Sequence, residues 1–161
     1  MPPAEGVRIR PYRAGDGKAL ADLHRAAILA MAGDGYSPEQ LKRWAAGLTN
    51  EGYEQAIAEG QVIEVAVGSG DDLLGFCSRT ADEVKGLYVH PDHQGQGIGA
   101  ALLTRAEVAL KSFGIRHSKI TASIAAAGFY KRQGYRIAGH IDHPTRGGGT
   151  IPAIVMEKEL R

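Results

Sequence analysis

Apolar and polar residues alternate over VRIRPYR (7–13), which predicts a short strand ending at the turn-like AGDG (14–17). From Lys18 the period lengthens. Leu20, Leu23, Ala27, Ala30 and Met31 recur at helical spacing, and Asp16 stands where it can cap that helix. GDGYSPEQ (33–40) breaks the pattern. Ser37, Pro38 and Gln40 then supply the cap, first position and third position of a second helix, a capping-box arrangement. Leu41, Trp44, Ala45 and Leu48 form its apolar face, and a third short helix is predicted over 51–59.

After Gly60 the period falls to two. QVIEVAV (61–67), LLGFCSR (73–79) and VKGLYVH (84–90) read as strands joined by a GSGDD turn and by a turn at 81–82. These turns are too short for crossover helices, so the three strands form an antiparallel meander. Ile98, Leu102, Ala106, Ala109, Leu110 and Phe113 mark a long amphipathic helix. HSKITAS (117–123) follows as a strand, AAAGFYKRQ (125–133) as a short helix and YRIAGHI (135–141) as a strand. TIPAIVMEKEL (150–160) is a last strand, interrupted by Pro152. Nothing resembles a linker or a fixed-period repeat. The expectation is one α+β domain spanning 1–161, with a mixed, mainly antiparallel sheet flanked by helices.

Composition narrows the function classes. Nineteen Lys and Arg against eighteen Asp and Glu leave a formal charge of +1, so a strongly basic nucleic-acid footprint is absent. One cysteine cannot form an internal disulfide, which suits a reducing cytoplasm. No apolar run approaches the roughly 20 residues that span a bilayer, and MPPAEGVRIRPYR has no apolar core of the signal-peptide kind. No nucleic-acid or membrane partner is therefore expected. Glycine is the anomaly: 22 of 161 residues is about twice the usual share of ~7%.

The informative glycines lie in GLYVHPDHQGQGIGAALL (86–103), where an apolar strand runs into a Gly-rich turn that opens directly into a helix. The first four N–H groups of a helix have no intrahelical partner, and its dipole adds roughly half a positive charge there. Without β-carbons a phosphate can reach those donors, so Gly95, Gly97 and Gly99 suit a pyrophosphate cradle; the plainer alternative is a tight turn that needs them only for backbone angles. A Walker P-loop requires Lys-Ser/Thr after the last glycine, and Ala100 and Ala101 stand there instead. Residues 95–100 match the G-x-G-x-x-A of dinucleotide-binding folds. That motif belongs on a first βα turn with an acid ending the next strand, whereas here it follows a meander and HSKITAS carries no acid.

QGQGIGA (94–100) is similar to the Q/R-x-x-G-x-G/A signature of the GCN5-related N-acetyltransferases (GNATs), preceded by the strand end Tyr88-Val89-His90-Pro91. SIAAAGFYKRQGYR (123–136) resembles the family's second signature: Ala126, Phe129, Tyr130, Gly134 and Tyr135 match, and Ser123 stands where Asn is frequent. The element order agrees over nearly the whole chain. YSPEQLKRWA (36–45) also resembles a small bacterial, YafP-like subgroup.

The resemblance implies transfer of an acetyl group from acetyl-CoA to a primary amine by direct attack, with no metal. It implies that Gln94, Gly95, Gln96, Gly97, Ile98, Gly99 and Ala100 hold the CoA pyrophosphate. Leu87, Tyr88 and Val89 would lie along pantetheine beside a cleft opened by a strand bulge, with a backbone N–H near Val89 facing the developing oxyanion. Ser123, Ala126 and Phe129 would complete the cofactor side. Tyr130 matches the family's acid toward the departing thiolate; the alternative is a core tyrosine, against which stands Phe129 as the better core-filler. Glu83 falls where several members place a general base; the alternative is a solvated hairpin residue. A non-catalytic CoA-binding module, a protein amine as acceptor, and a homodimer remain open. The identity of the amine is not legible, and no strongly acidic pocket for a polycationic acceptor is evident.

Other features read more plainly. His90/His93 and His140/His143 have H-x-x-H spacing without an accompanying cysteine, which suits surface histidines better than a metal site; either His140 or His143 is a candidate for the acceptor side. Cys77, in an apolar strand, reads as a buried thiol. Trp44 either anchors its helix or lines the acceptor site. Gly147–Gly149 suit either a mobile hairpin tip near that site or merely a tolerated loop, and Arg8, Arg10 and Arg13 are expected on a solvated strand face.

Overall fold

The computed structural model describes residues 6–145 and 147–161, so the first five residues of MPPAEGVRIRPYR lie outside the described residues. The strands are β1 (Arg8–Pro11), β2 (Val62–Val67), β3 (Leu73–Arg79), β4 (Val84–Val89), β5 (His117–Ser123), β6 (Arg136–Pro144) and β7 (Thr150–Glu159). The helices are α1 (Gly17–Leu29), α2 (Pro38–Ala46), α3 (Asn50–Ala58), α4 (Ile98–Ser112) and α5 (Ala127–Arg132). The strands hydrogen-bond as two antiparallel sheets, β1-β2-β3-β4 and β5-β7-β6. β4 and β5 run close beside one another without a ladder between them. That seam is where the two halves of the chain meet.

Three apolar clusters cover the sheets. α4 and α5 pack Ile98, Leu102, Leu103, Ala106, Leu110 and Tyr130 across residues of both sheets, closing the seam from one side. On the opposite face, α1 and α3 set Leu20, Leu23 and Tyr53 against Val65, Val67 and Phe76. The end of α1 and α2 form the third cluster, Ile28, Met31, Tyr36, Leu41 and Ala45, against Ile151 at the start of β7. The expected capping box is present: Ser37 Oγ accepts the Gln40 N–H and Gln40 Oε1 accepts the Ser37 N–H.

Four sequence expectations change. Arg10 is buried rather than solvated, because Asp16 holds it at 2.8 and 3.0 Å and Asp71 at 3.1 Å. Asp16 occupies the cap position of α1, yet its carboxylate turns to Arg10 and to the Arg13 N–H instead of the helix. Phe113 lies past the end of α4 and is 63% exposed, while Leu103 takes a core place. Pro152 does not interrupt β7. It pairs with Asp142 of β6, and β5 has already ended opposite Ala153, so no N–H is needed on that side.

Candidate functional site

β4 ends in the short turn Pro91–His93, and the chain then passes through Gln94–Gly97 into α4. Gly97 is the cap residue of that helix at φ +78°, a left-handed conformation that strains any β-branched residue. The first intrahelical bond at this end runs from the Ala101 N–H to the Gly97 carbonyl, at 3.0 Å. The N–H groups of Ile98, Gly99 and Ala100 thus precede any intrahelical partner, no side chain caps them, and the first turn carries no acid. A Cβ on Gly95 would meet nothing within 4 Å, so the space before the loop is open. Bare donors at the positive end of a 15-residue helix make an anion cradle.

The edge of β4 leads into this cradle. The His90 N–H donates to the Leu74 carbonyl of β3 at 2.8 Å. Because backbone groups alternate sides along a strand, the N–H groups of Val89 and Leu87 face the other way, into the seam with β5. The ladder slips between Ser78 and Arg79, which face Gly86 and Val84, so Lys85 is an extra residue in β4. This bulge separates the strand's start from its free edge. The side chains alternate too: Leu87 and Val89 pack with α4, and Tyr88 packs on the α1–α2 side.

On that second side a cavity of about 130 Å³ opens between β4, β5 and β7. Trp44, Tyr88 and Ile151 give it apolar walls, and Glu83, Ser123 and His143 line it with polar groups. Glu83 Oε2 receives the Lys85 ammonium at 3.2 Å, and the Glu83 N–H donates to Thr80 Oγ1 across the tight turn. Tyr88 is wedged among His24, Phe76 and Trp44, with ring centroids 4.3, 5.6 and 6.4 Å away. Burial pushes its phenol far above the ordinary range. Of the two histidines weighed for the acceptor side, His143 lines the cavity and His140 is not among its lining residues. Trp44 both anchors α2 and faces the cavity.

Tyr130, and not Phe129, fills the core position. Tyr130 is the buried member, 4% exposed and packed with Cys77 and Tyr135, whereas Phe129 is half-buried over the start of α4. One helical step rotates successive side chains by about 100°, so only one of the pair can point into the core. Burial holds the Tyr130 phenol well above its usual value. Ser123 Oγ accepts the Ala126 N–H at 3.2 Å and closes the turn between β5 and α5. Tyr130 does not line this cavity; it sits on the opposite, α4 side of the seam.

The remaining candidates fall away from this site. His90 Nδ1 accepts the Asp92 N–H, and His90 and His93 line an open pocket beside the β2–β3 turn that Gln96 of the cradle loop also borders. Among the described residues no group of three or more His, Cys, Asp or Glu is arranged to hold a metal. Cys77 is buried and its thiol is pushed up to about 12. Gly147 at the β6–β7 tip lies against the backbone carbonyl of Arg43 in α2, too close to admit a Cβ. Sequence reasoning missed Tyr36, Thr121 and Ile151 near the cavity, since nothing in their local pattern distinguishes them from ordinary core or strand positions. No helix among the described residues is long and apolar enough to cross a membrane.

Residues 33–160 match the acetyltransferase (GNAT) domain. The chain is 30% identical over 132 residues to the N-acetyltransferase YafP of Escherichia coli strain K12, covering 81% of each protein. A GCN5-related N-acetyltransferase from Rhodopseudomonas palustris superposes with a TM-score of 0.88 at 29% identity, over 99% of both chains. The PaiA N-acetyltransferase of Thermoplasma acidophilum, solved in complex with coenzyme A, superposes with a TM-score of 0.75 at 21% identity, over 95% of this chain and 98% of that one. On the family match and these likenesses, the chain belongs to the GNAT family of N-acetyltransferases.

Proposed function

We propose that this enzyme transfers the acetyl group of acetyl-CoA to a small primary amine by direct attack. The observation that carries the reading is the arrangement along β4: an anion cradle at its end, free N–H groups on its seam edge and an acceptor cavity at its bulge. The residues fit such a co-substrate, because the cradle offers bare donors with open space before them. Gln94, Gly95, Gln96, Gly97, Ile98, Gly99 and Ala100 take the pyrophosphate. Leu87 and Val89 pair with the pantetheine amides through their seam-facing backbone groups, while Tyr88 walls the acceptor side. Ser123, Ala126 and Phe129 hold the turn and helix that complete the cofactor side. Acetyl-CoA supplies an activated thioester carbonyl.

The chain's own residues then meet three demands. The Val89 N–H donates to the thioester oxygen as negative charge develops there, a preorganised electrostatic role. Glu83 takes the proton of the ammonium, directly or through water, so that nitrogen has a lone pair with which to attack. As the carbon–nitrogen bond forms and the carbon–sulfur bond breaks, the Tyr130 O–H supports the sulfur, and the extra proton left on the new amide nitrogen passes through water to the departing thiolate. A buried phenol holds its proton more tightly than a thiol of pKa about 8.5, so Tyr130 acts as a hydrogen-bond donor to the thiolate rather than surrendering its proton outright.

The cavity holds one Glu, one Lys and one His, and the carboxylate is already paired. This favours a modest amine, free or at the tip of a single side chain, over a polycation. Release of free thiol from acetyl-CoA, measured against a panel of amines, amino acids and lysine peptides, tests the reading. Amine-dependent thiol release is the expected result; none from any acceptor would leave a CoA-binding module without catalysis.

A further inference from the structure

The β5–β7 ladder ends with Ser123 facing Ala153. One register step further, Ile124 would face Pro152, and there the strands part as the chain turns through Ile124–Ala126 toward α5. Tyr36 occupies the missing rung. Its hydroxyl accepts the Ile124 N–H at 2.9 Å and donates to the Pro152 carbonyl at 2.7 Å. The phenol thus takes the donor of one strand and the acceptor of the other, using both halves of its hydrogen-bonding capacity. It is 4% exposed, so these two bonds are made away from competing water. The ring meets Trp44 edge-on with centroids 5.9 Å apart.

These contacts join the two sides of the reaction space. Trp44, Ile151, Ala153 and Ser123 line the acceptor cavity, and the turn that receives Tyr36 leads directly into the helix bearing Phe129 and Tyr130. Without an inserted group, Ile124 and Pro152 would either close into a further rung or drift apart. We propose that Tyr36 is a positioning residue for transfer, its hydroxyl setting the spacing between the acceptor wall and the β5 end that leads to Tyr130. The proposal rests on the acetyl-transfer reading above. Misplacement of reacting groups by about 1 Å can cost roughly a hundredfold in rate, so a lost wedge registers in kcat.

Tyr36→Phe keeps the ring against Trp44 and removes both bonds. With the most active amine of the panel, kcat is expected to fall about tenfold or more while the acetyl-CoA dissociation constant stays within about threefold. Ser118→Ala, which removes a buried hydroxyl bonded to Tyr135 at the other end of β5, controls for a purely structural loss and keeps kcat. An unchanged kcat in Tyr36→Phe, or a fall no larger than in Ser118→Ala, overturns the proposal. Amide hydrogen exchange of the wild type reads the rung even if the variant fails to fold: Ile124 should exchange as slowly as the laddered amides of β5, and free exchange there overturns the wedge. An active wild type with an unaffected variant rejects this inference alone. A wild type inactive on every amine rejects the functional reading first.

Discussion

The ring of Phe129 packs on Gly99: a Cβ at that glycine would stand 3.3 Å from two ring atoms and 3.6 Å from Val89 Cγ2. The contact joins the end of β4 and the first turn of α4, neighbours in the chain, to the helix α5 well downstream of both. It also explains why Tyr130 is the buried member of the pair. With Phe129 committed to the α4 start, the next position on the helix is turned toward Cys77 and Tyr135.

Removing the Tyr130 hydroxyl should therefore separate binding from chemistry. Tyr130→Phe is expected to bind CoA as the wild type does and to turn over about tenfold more slowly or worse, inside the 10²–10⁴ span typical of proton-handling residues or just below it. Calorimetry with CoA and steady-state thiol release measure the two halves. Turnover equal to wild type would remove Tyr130 from the mechanism.

Glu83 lines the cavity, ion-paired with Lys85, and is the carboxylate among the described lining residues that can meet an incoming ammonium. Glu83→Gln should lower kcat/KM about tenfold or more near neutral pH while acetyl-CoA binding holds, as steady-state thiol release and calorimetry measure. Unchanged kcat/KM assigns the proton to another group or to water.

The cradle is tested at Gly97. Valine there would meet both a left-handed backbone and the space that a pyrophosphate must enter. Gly97→Val is expected to weaken CoA binding by about tenfold or more, at roughly 1.4 kcal/mol per factor of ten. Titration calorimetry checks it, with circular dichroism to confirm the fold; equal affinity contradicts the cradle.

Acid stability follows from the Arg10 cluster. The Arg10 guanidinium holds the Asp16 carboxyl below its ordinary value, so the folded chain binds that proton less readily than the unfolded chain. The stabilisation is complete above the unfolded carboxyl value of about 3.9 and is lost as pH falls through the lower folded value. Asp16→Asn should cost about 2 kcal/mol at neutral pH, the scale of a charged hydrogen-bonded pair, and the deficit should shrink as both proteins approach acid unfolding. Urea melts at pH 7 and in the acid range would show it; a constant deficit would argue against the pairing.

The meander, the long helix and the short helix before β6 follow from apolar spacing, because burial of one face imposes a period of two or 3.6 wherever the element lies. The cap of α2 was equally readable, since Ser37 and Gln40 satisfy one another within four positions. The glycine joint needed only its order of strand, turn and helix. Local pattern failed where the partner is remote. Arg10 looked solvated because Asp71, 61 positions away, is invisible to periodicity. Pro152 looked like a break because the end of β5 beside it belongs to another stretch of chain.

Alternation, caps and glycine placement by themselves thus determined the elements and the backbone donors at the α4 start, which depend on near neighbours along the chain, while the family rested on the resemblance of 94–100 and 123–136 to its signatures. Only the tertiary structure decided that Tyr130 rather than Phe129 enters the core and that His143 rather than His140 reaches the cavity. It alone put the Tyr36 hydroxyl between Ile124 and Pro152, 88 and 116 positions away. A hydroxyl can join two such backbones only after both strands have been laid beside it, and no spacing along one segment encodes that meeting.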